Sequence, residues 1–316
     1  MILNILLLIL GFIFLIKGAD IFVDGSSSTA QNFKVPKMLI GLTIVAFGTS
    51  APEFAVSMSA LAHHNSDMVL GNVIGSCILN ILLILGVAAL IKPIKLKDST
   101  IKKELPLTIL ISALLVVLML DVPLAGDPIN RITRLDALVI LLFFTVFIYY
   151  LVTLAKSKKD KEDEKAPYGL GKSILFIILG LACIIVGSDL VVNNASSIAK
   201  TLGLSERVIS LTIVAFGTSL PELVTTIVSS KKGEQDLLVG NIIGSNIFNI
   251  CVVLGLPVLI YGTIPTSGFS TIDLIMLVVS AIMLLVFSKT NKTITKSNGI
   301  VMLVAFAIYY TLVFVV

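Results

Sequence analysis

Apolar residues in this 316-residue chain gather in long runs with short polar punctuation between them. They do not form the one-sided stripes of helices that face water. Several runs approach or exceed the ~20 residues a helix needs to cross a ~30 Å hydrocarbon core. Read run by run, they predict ten spans, at 2–17, 36–62, 68–91, 103–121, 134–154, 171–190, 205–230, 236–260, 270–288 and 298–316. The ten-residue alternation of a transmembrane barrel is absent, so the expected class is an all-α polytopic membrane protein. The first run has no basic residue before it and no small-residue cleavage site soon after it, so it reads as a span and not as a removable signal.

A second pattern overlies the first. The nine residues LTIVAFGTS at 42–50 return unchanged at 211–219, each copy followed one residue later by Pro-Glu. One offset of 169 residues aligns Gly11, Gly18 and Asp20 with Gly180, Gly187 and Asp189. It also aligns Gly71, Asn72, Gly75, Ser76, Asn80 and Gly86 with Gly240, Asn241, Gly244, Ser245, Asn249 and Gly255. Each copy holds five spans, an odd number, so the second must enter the membrane from the opposite side. That is the inverted-topology repeat of secondary transporters. The expected organisation is a first repeat over 1–154 with its motif at 41–80, a linker over 155–170, and a second repeat over 171–316 with its motif at 210–249. The mixed-charge run AKSKKDKEDEK at 155–165 is too short for a folded domain and reads as a solvated linker.

Composition narrows the class further. The chain is 57% hydrophobic and 13% charged, with a mean hydropathy of +1.07, far from any soluble domain. It carries no nucleotide-binding loop, which argues against direct coupling to ATP, and nothing in it suggests a nucleic-acid partner or an enzyme. Cys77, Cys183 and Cys251 lie far apart inside apolar runs, without metal-ligand spacing, and are expected to be packing residues. Of the 23 Lys and Arg residues, 19 fall in odd-numbered connections. The positive-inside rule then makes those connections and the 155–170 linker cytoplasmic and both termini extracellular. Asp20 and Asp189 are expected near the ends of spans 1 and 6, and His63 and His64 in an external connection.

The candidate chemistry sits in the repeated stretch. Pro52 lacks a backbone donor and crowds the carbonyl of Gly48, as Pro221 crowds that of Gly217, so helices 2 and 7 are expected to break there. Freed carbonyls in hydrocarbon are tolerated only where they are buried in protein or line a cavity, which makes those near 46–48 and 215–217 candidate cation ligands. Glu53 and Glu222 each cost about 2.5–3.5 kcal/mol at mid-membrane on insertion scales and demand a compensating partner. One helical turn places Thr49 and Ser50 beside Glu53, and Thr218 and Ser219 beside Glu222. The next spans add Asn72, Ser76 and Asn80, and Asn241, Ser245 and Asn249, every fourth residue on one face. Gly71/Gly75 and Gly240/Gly244 would permit close helix approach. All these side chains offer oxygen, so the expected cargo is a hard cation, with Ca²⁺ ahead of Mg²⁺ because its coordination is more flexible. Two carboxylates balance one Ca²⁺ and could hold Na⁺ in its place.

These residues resemble the sodium/calcium exchanger family of the cation/calcium antiporter superfamily, whose paired repeats carry G-T-S-x-P-E and G-N-x-x-G-S-N. Here they read GTSAPE at 48–53 with GNVIGSCILN at 71–80, and GTSLPE at 217–222 with GNIIGSNIFN at 240–249. The resemblance implies a minimal prokaryotic member in the cell membrane. It implies ten helices, a central site from spans 2, 3, 7 and 8, and exchange of several Na⁺ for one Ca²⁺ by alternating access. It further implies that Glu53 and Glu222 are shared by the two ions, with the carbonyls of Ala46 and Ala215 and the side chains of Thr49, Ser50, Thr218 and Ser219 completing the sites. Ser76 and Ser245 resemble Na⁺ ligands, and Asn80 and Asn249 face the centre. Asn249, where potassium-dependent relatives carry Asp, argues against potassium coupling. Cys77 stands where the second copy has Asn246.

The expected function is therefore Na⁺/Ca²⁺ antiport by a chain that works as a monomer in the bilayer, with the two ions as cargo and no cofactor. A Ca²⁺/H⁺ antiporter on the same fold is the nearest rival, since the two Glu could trade Ca²⁺ for protons. A passive channel fits less well, because flow needs weak sites in a continuous pore.

Overall fold

The computed structural model describes residues 1–63, 65–126, 129–156, 166–203, 215–266 and 271–315. His64, most of the charged linker with Lys158, Lys159, Lys161 and Lys165, the stretch 204–214 with Arg207 and the start of the second motif copy, and residue 316 lie outside them. Seven helices among the described residues are long and apolar enough to cross a membrane: α1 (Ile2–Phe33), α4 (Ser66–Ile91), α6 (Arg134–Lys156), α7 (Leu170–Thr201), α9 (Gln235–Tyr261), α10 (Thr271–Lys289) and α11, whose apolar stretch is Lys296–Val313. The pair α2 (Lys37–Thr49) and α3 (Ala51–Ala62), bent by 45° at its break, is long and apolar enough only when the two are taken together. Of the two remaining expected spans, one falls on α5 (Leu105–Leu118) with the π-helical turn Thr100–Glu104 before it, and the other on α8 (Leu220–Lys232).

Two compact units result, one from Met1–Pro52 with Ser157–Asn241, the other from Glu53–Lys156 with Ile242–Val316. In the first, α1 and α7 pack along their whole lengths. Small residues recur every seven positions on both, Gly11, Gly18 and Gly25 meeting Gly187, Gly180 and Ser173. A Cβ on Gly18 would lie 2.9 Å from the Gly180 carbonyl oxygen, so the backbones touch and no larger residue fits. Both helices are 32 residues long, well past the expected ends at 17 and 190. Lys17, Asp20 and Asp189 look like span ends in the sequence, yet lie within helices. The reason is that Ala19, Phe22, Ser26, Ser28 and Ala30 beyond Lys17 are wholly buried. The exposed Asp20 is held by Lys232 at the end of α8, 2.8 Å from its Oδ1, and Lys232 also lies 2.6 Å from Asp24. Burial alone would pull the Lys232 ammonium below the ordinary lysine range, but its hydrogen bonds to Asp20 and Asp24 outweigh that and raise it. α1 ends at Lys34 in the left-handed conformation, just before Pro36.

In the second unit, four two-residue strands unforeseen in an all-α reading clip the helix connections together. Ile94–Lys95 pairs with Thr293–Ile294, and Arg131–Ile132 with Ile264–Pro265, all antiparallel. Each ladder joins a connection of one repeat to a connection of the other. Two acid–tyrosine pairs brace neighbouring helices. Tyr150 on α6 donates to Glu104, which is buried, and Tyr309 on α11 donates to Asp273 on α10 at 2.8 Å. Glu104 and Asp273 stand at the same offset of 169 as the motifs. α4 and α9 are the most enclosed helices, with 72% and 89% of their apolar windows buried against 22–33% for the other five. Those are the helices that carry the Asn and Ser stripes.

Candidate functional site

Each unit holds part of the constellation. In the first unit, α2 widens into a π-helical turn at Gly41–Val45 and stops at Thr49. Ser50, at φ −85° and ψ 6°, leaves the helix, and α3 departs at 45°. Pro52 then occupies the second position of α3, where an N–H would have no partner anyway. Ser219 repeats this at φ −89° and ψ 6°, ahead of α8 and Pro221. The breaks thus fall where the prolines predict them. The carbonyls around them are partly engaged: that of Ala46 accepts the Ser50 N–H at 3.0 Å, and that of Gly217 accepts the Ser188 hydroxyl at 2.8 Å. Ala215 opens the short helical turn Ala215–Gly217.

The side chains meet across the sequence halves. The Ser50 hydroxyl donates to Glu222 Oε1 at 3.0 Å, joining a hydroxyl of the first motif to the carboxylate of the second. Thr49 donates to Asn241 Oδ1 at 3.0 Å, and Asn241 Nδ2 donates to Thr226 at 3.3 Å. Thr49, Ser50 and Glu222 are fully buried, Ser219 nearly so, and Thr218 is half-buried. Gly240 packs against Gly41, where a Cβ would lie 2.8 Å from the Met38 carbonyl oxygen, so that α2 and α9 run in backbone contact.

In the second unit, Glu53 lies in the first turn of α3, also fully buried. Asn72 donates to the Glu53 carbonyl at 2.9 Å and to Ser57 at 3.1 Å, the counterpart of the Asn241–Thr226 bond. Ser76, Asn80, Ser245 and Asn249 are all buried. Asn80 and Asn249 each open a π-helical segment, Asn80–Leu85 and Asn249–Leu254, a distortion common at functional positions. Of the first Gly-x-x-x-Gly pair, Gly75 makes no close helix approach, because nothing lies within 4 Å of a Cβ placed on it. Among the described residues no three His, Cys, Asp or Glu side chains group to hold a metal ion. The oxygens gathered in these segments belong to hydroxyls, amides and carbonyls as well as to carboxylates.

The family described as sodium/calcium exchanger protein matches residues 3–153 and 172–315, all but the ends and the linker. The chain belongs to the sodium/calcium exchanger family. As an exchanger it is a membrane transporter. It is 32% identical to the sodium/calcium exchanger MaX1 of Methanosarcina acetivorans over 98% of both chains. It is 35% identical to the inner membrane protein YrbG of Escherichia coli K12, over 99% of this chain and 98% of that one. Its backbone superposes on the sodium-calcium exchanger NCX_Mj, solved in crystals soaked with 10 mM Na⁺ and zero Ca²⁺, with a TM-score of 0.85 over 98% of both chains at 33% identity.

Three polar positions of this exchanger escape a motif-based reading: Ser57 and Thr226, which hold the stripe asparagines, and Ser188, which caps the Gly217 carbonyl. Ser57 and Thr226 stand at the repeat offset, and matching hydroxyls outside the G-T-S-x-P-E and G-N-x-x-G-S-N stretches are the signal that finds them.

Proposed function

We propose that this chain exchanges Na⁺ for Ca²⁺ by alternating access, with Glu53 and Glu222 as the carboxylates the two ions share. Ten spans arranged as two inverted five-helix repeats frame the exchange, and both termini and the even-numbered connections face outward. The single observation that supports it best is the bond from Ser50 to Glu222. A hydroxyl from one motif copy satisfies the buried carboxylate of the other, so one copy alone makes no complete ligand set. A buried carboxylate needs a counter-charge, and a divalent cation supplies it for two Glu at once, as does more than one Na⁺. Thr49, Ser50, Thr218, Ser219, Ser76, Ser245, Asn80 and Asn249, with the carbonyls of Ala46 and Ala215, supply the remaining oxygens in the flexible geometry Ca²⁺ accepts. The bends before Pro52 and Pro221 leave polar backbone beside these side chains, the arrangement of discontinuous helices in secondary transporters.

The test is Ca²⁺ uptake into proteoliposomes loaded with Na⁺ and diluted into Na⁺-free medium, with K⁺-loaded and acid-loaded vesicles in parallel. Uptake that requires internal Na⁺ and survives a protonophore supports the proposal. Uptake driven only by the acid load assigns the chain to Ca²⁺/H⁺ exchange.

A further inference from the structure

The two copies of the second motif differ at three buried positions, Val73/Ile242, Cys77/Asn246 and Leu79/Phe248, and only Cys77/Asn246 exchanges a weakly polar thiol for an amide. Both side chains reach the same kind of partner. Asn246 Nδ2 donates to the Cys77 carbonyl at 3.2 Å, and the Cys77 thiol donates to the Asn246 carbonyl at 3.7 Å. Only Asn246 has a second polar atom to offer, and its Oδ1 accepts from Asn80 Nδ2 at 3.0 Å.

The polarity of this chain of bonds is forced. A backbone carbonyl can only accept, so Asn246 must turn its NH₂ toward Cys77 and its oxygen toward Asn80. Asn80 must then meet that oxygen with its own NH₂, which leaves Asn80 Oδ1 directed away from Asn246. That oxygen is buried and has no hydrogen-bond partner among the described residues. Its counterpart, Asn249, is equally buried, and neither Oδ1 nor Nδ2 of its amide has a partner among the described residues. The position offset from Asn246 holds a thiol with no amide oxygen to offer, so no partner among the described residues dictates which end Asn249 presents.

We infer that Asn246 is a positioning residue: it fixes the Asn80 amide so that an oxygen, never an NH₂, is offered to the transported cation. This rests on the exchange reading above. It makes the two central asparagines unequal, Asn80 a fixed oxygen donor and Asn249 an amide free to present either end.

The test uses the full chain in proteoliposomes, with wild type, N246A, N80D, N80D/N246A and C77N compared. The readouts are the Ca²⁺ concentration for half-maximal Na⁺-driven uptake, the maximal rate, and the melting temperature. N246A should raise the half-maximal Ca²⁺ about tenfold, the scale of one hydrogen-bond-strength contact to a charge, with the maximal rate held within about twofold of wild type. In the N80D background either terminal atom is an oxygen, so N246A should change the half-maximal Ca²⁺ less than twofold. A merely structural Asn246 would lower the melting temperature and the maximal rate in both backgrounds alike. An unchanged half-maximal Ca²⁺ in N246A, or the same rise with and without N80D, overturns the inference.

Should N246A not fold, C77N decides. The new amide would hold Asn249 as Asn246 holds Asn80 and lower the half-maximal Ca²⁺, and no change overturns the inference. Wild-type vesicles without Na⁺-driven uptake would sink the exchange reading alone. The positioning role would then be read from the Ca²⁺ concentration that half-saturates the rise in melting temperature, with the same expected ratios.

Discussion

The two copies of the repeated motif are identical over nine residues, yet their side chains are not treated alike. At one pair of offset hydroxyls the bonds repeat: Asn72 to Ser57 at 3.1 Å, Asn241 to Thr226 at 3.3 Å. Where one copy has changed, the bond exists once. Asn246 anchors Asn80, while Cys77 leaves Asn249 unanchored. Ser188 caps Gly217, while its counterpart Ala19 has no hydroxyl to cap Gly48. Lys232 pairs with Asp20 and Asp24, while the counterparts are His63, Asp189 and Asn193. The repeated motif residues are thus kept in both copies, while the contacts around them differ. A pseudo-symmetric transporter whose two faces meet different ion concentrations has a use for such differences.

The largest expected effect tests what the copies share. Glu53→Gln and Glu222→Gln should each abolish coupled uptake, by more than about a hundredfold, because losing one partner of a buried charge interaction costs about 3–5 kcal/mol. Isotope flux with a melting curve separates this from unfolding, and exchange retained in both variants would dissolve the shared-carboxylate reading. Next come the two acid–tyrosine braces away from the motifs, whose acids stand at the repeat offset. Tyr150→Phe leaves Glu104 short of a donor and should lower stability by about 1–3 kcal/mol with the Ca²⁺ dependence of uptake unchanged. Tyr309→Phe should cost less, because Asp273 is the less buried acid, and urea melts of the two variants measure the ratio.

A smaller effect tests one contact between the copies. Ser50→Ala removes a hydroxyl donor of Glu222 and should weaken apparent Ca²⁺ affinity by about fivefold, roughly 1 kcal/mol for one hydrogen bond. Calcium titration of the purified protein reads it directly.

The smallest effect belongs to the one-sided ion pairs. Lys232→Met should cost at most about 1 kcal/mol, since all three groups are partly exposed and screened. The Lys232 ammonium is raised above its ordinary 10.5. Its contribution is therefore fully present below that value and is lost only as pH rises through the still higher folded value. Wild type and Lys232→Met should differ by a constant amount between pH 6 and 9, as parallel melting curves would show.

Much of this architecture is legible before any coordinates. Apolar run length marks the spans, and Pro52 and Pro221 mark the breaks, because hydrocarbon leaves a helix few ways to satisfy its backbone. The offset of 169 pairs every ligand candidate with its twin. What is not legible depends on neighbours distant in sequence. Lys17 and Asp20 read as the end of a span because charge disfavours hydrocarbon, yet α1 continues to Phe33 because α7 covers the small face beyond them. Gly75 reads as a packing glycine but faces open space. The π-helical turns at Asn80 and Asn249 shift where side chains point, and no local residue preference announces them. The difference between Cys77 and Asn246 is plain in the sequence. Its consequence appears only when their carbonyls and Asn80 are seen together.

The central claim is that Ca²⁺ and Na⁺ occupy one set of oxygens drawn from both motif copies. Equilibrium Ca²⁺ titrations of the purified exchanger at stepped Na⁺, with ionic strength held constant by a large organic cation, test it most directly. If the sites are shared, apparent Ca²⁺ affinity falls steeply and without limit as Na⁺ rises, with unchanged binding capacity. Affinity that levels off at high Na⁺, or ignores Na⁺ altogether, would mean separate sites and contradict it.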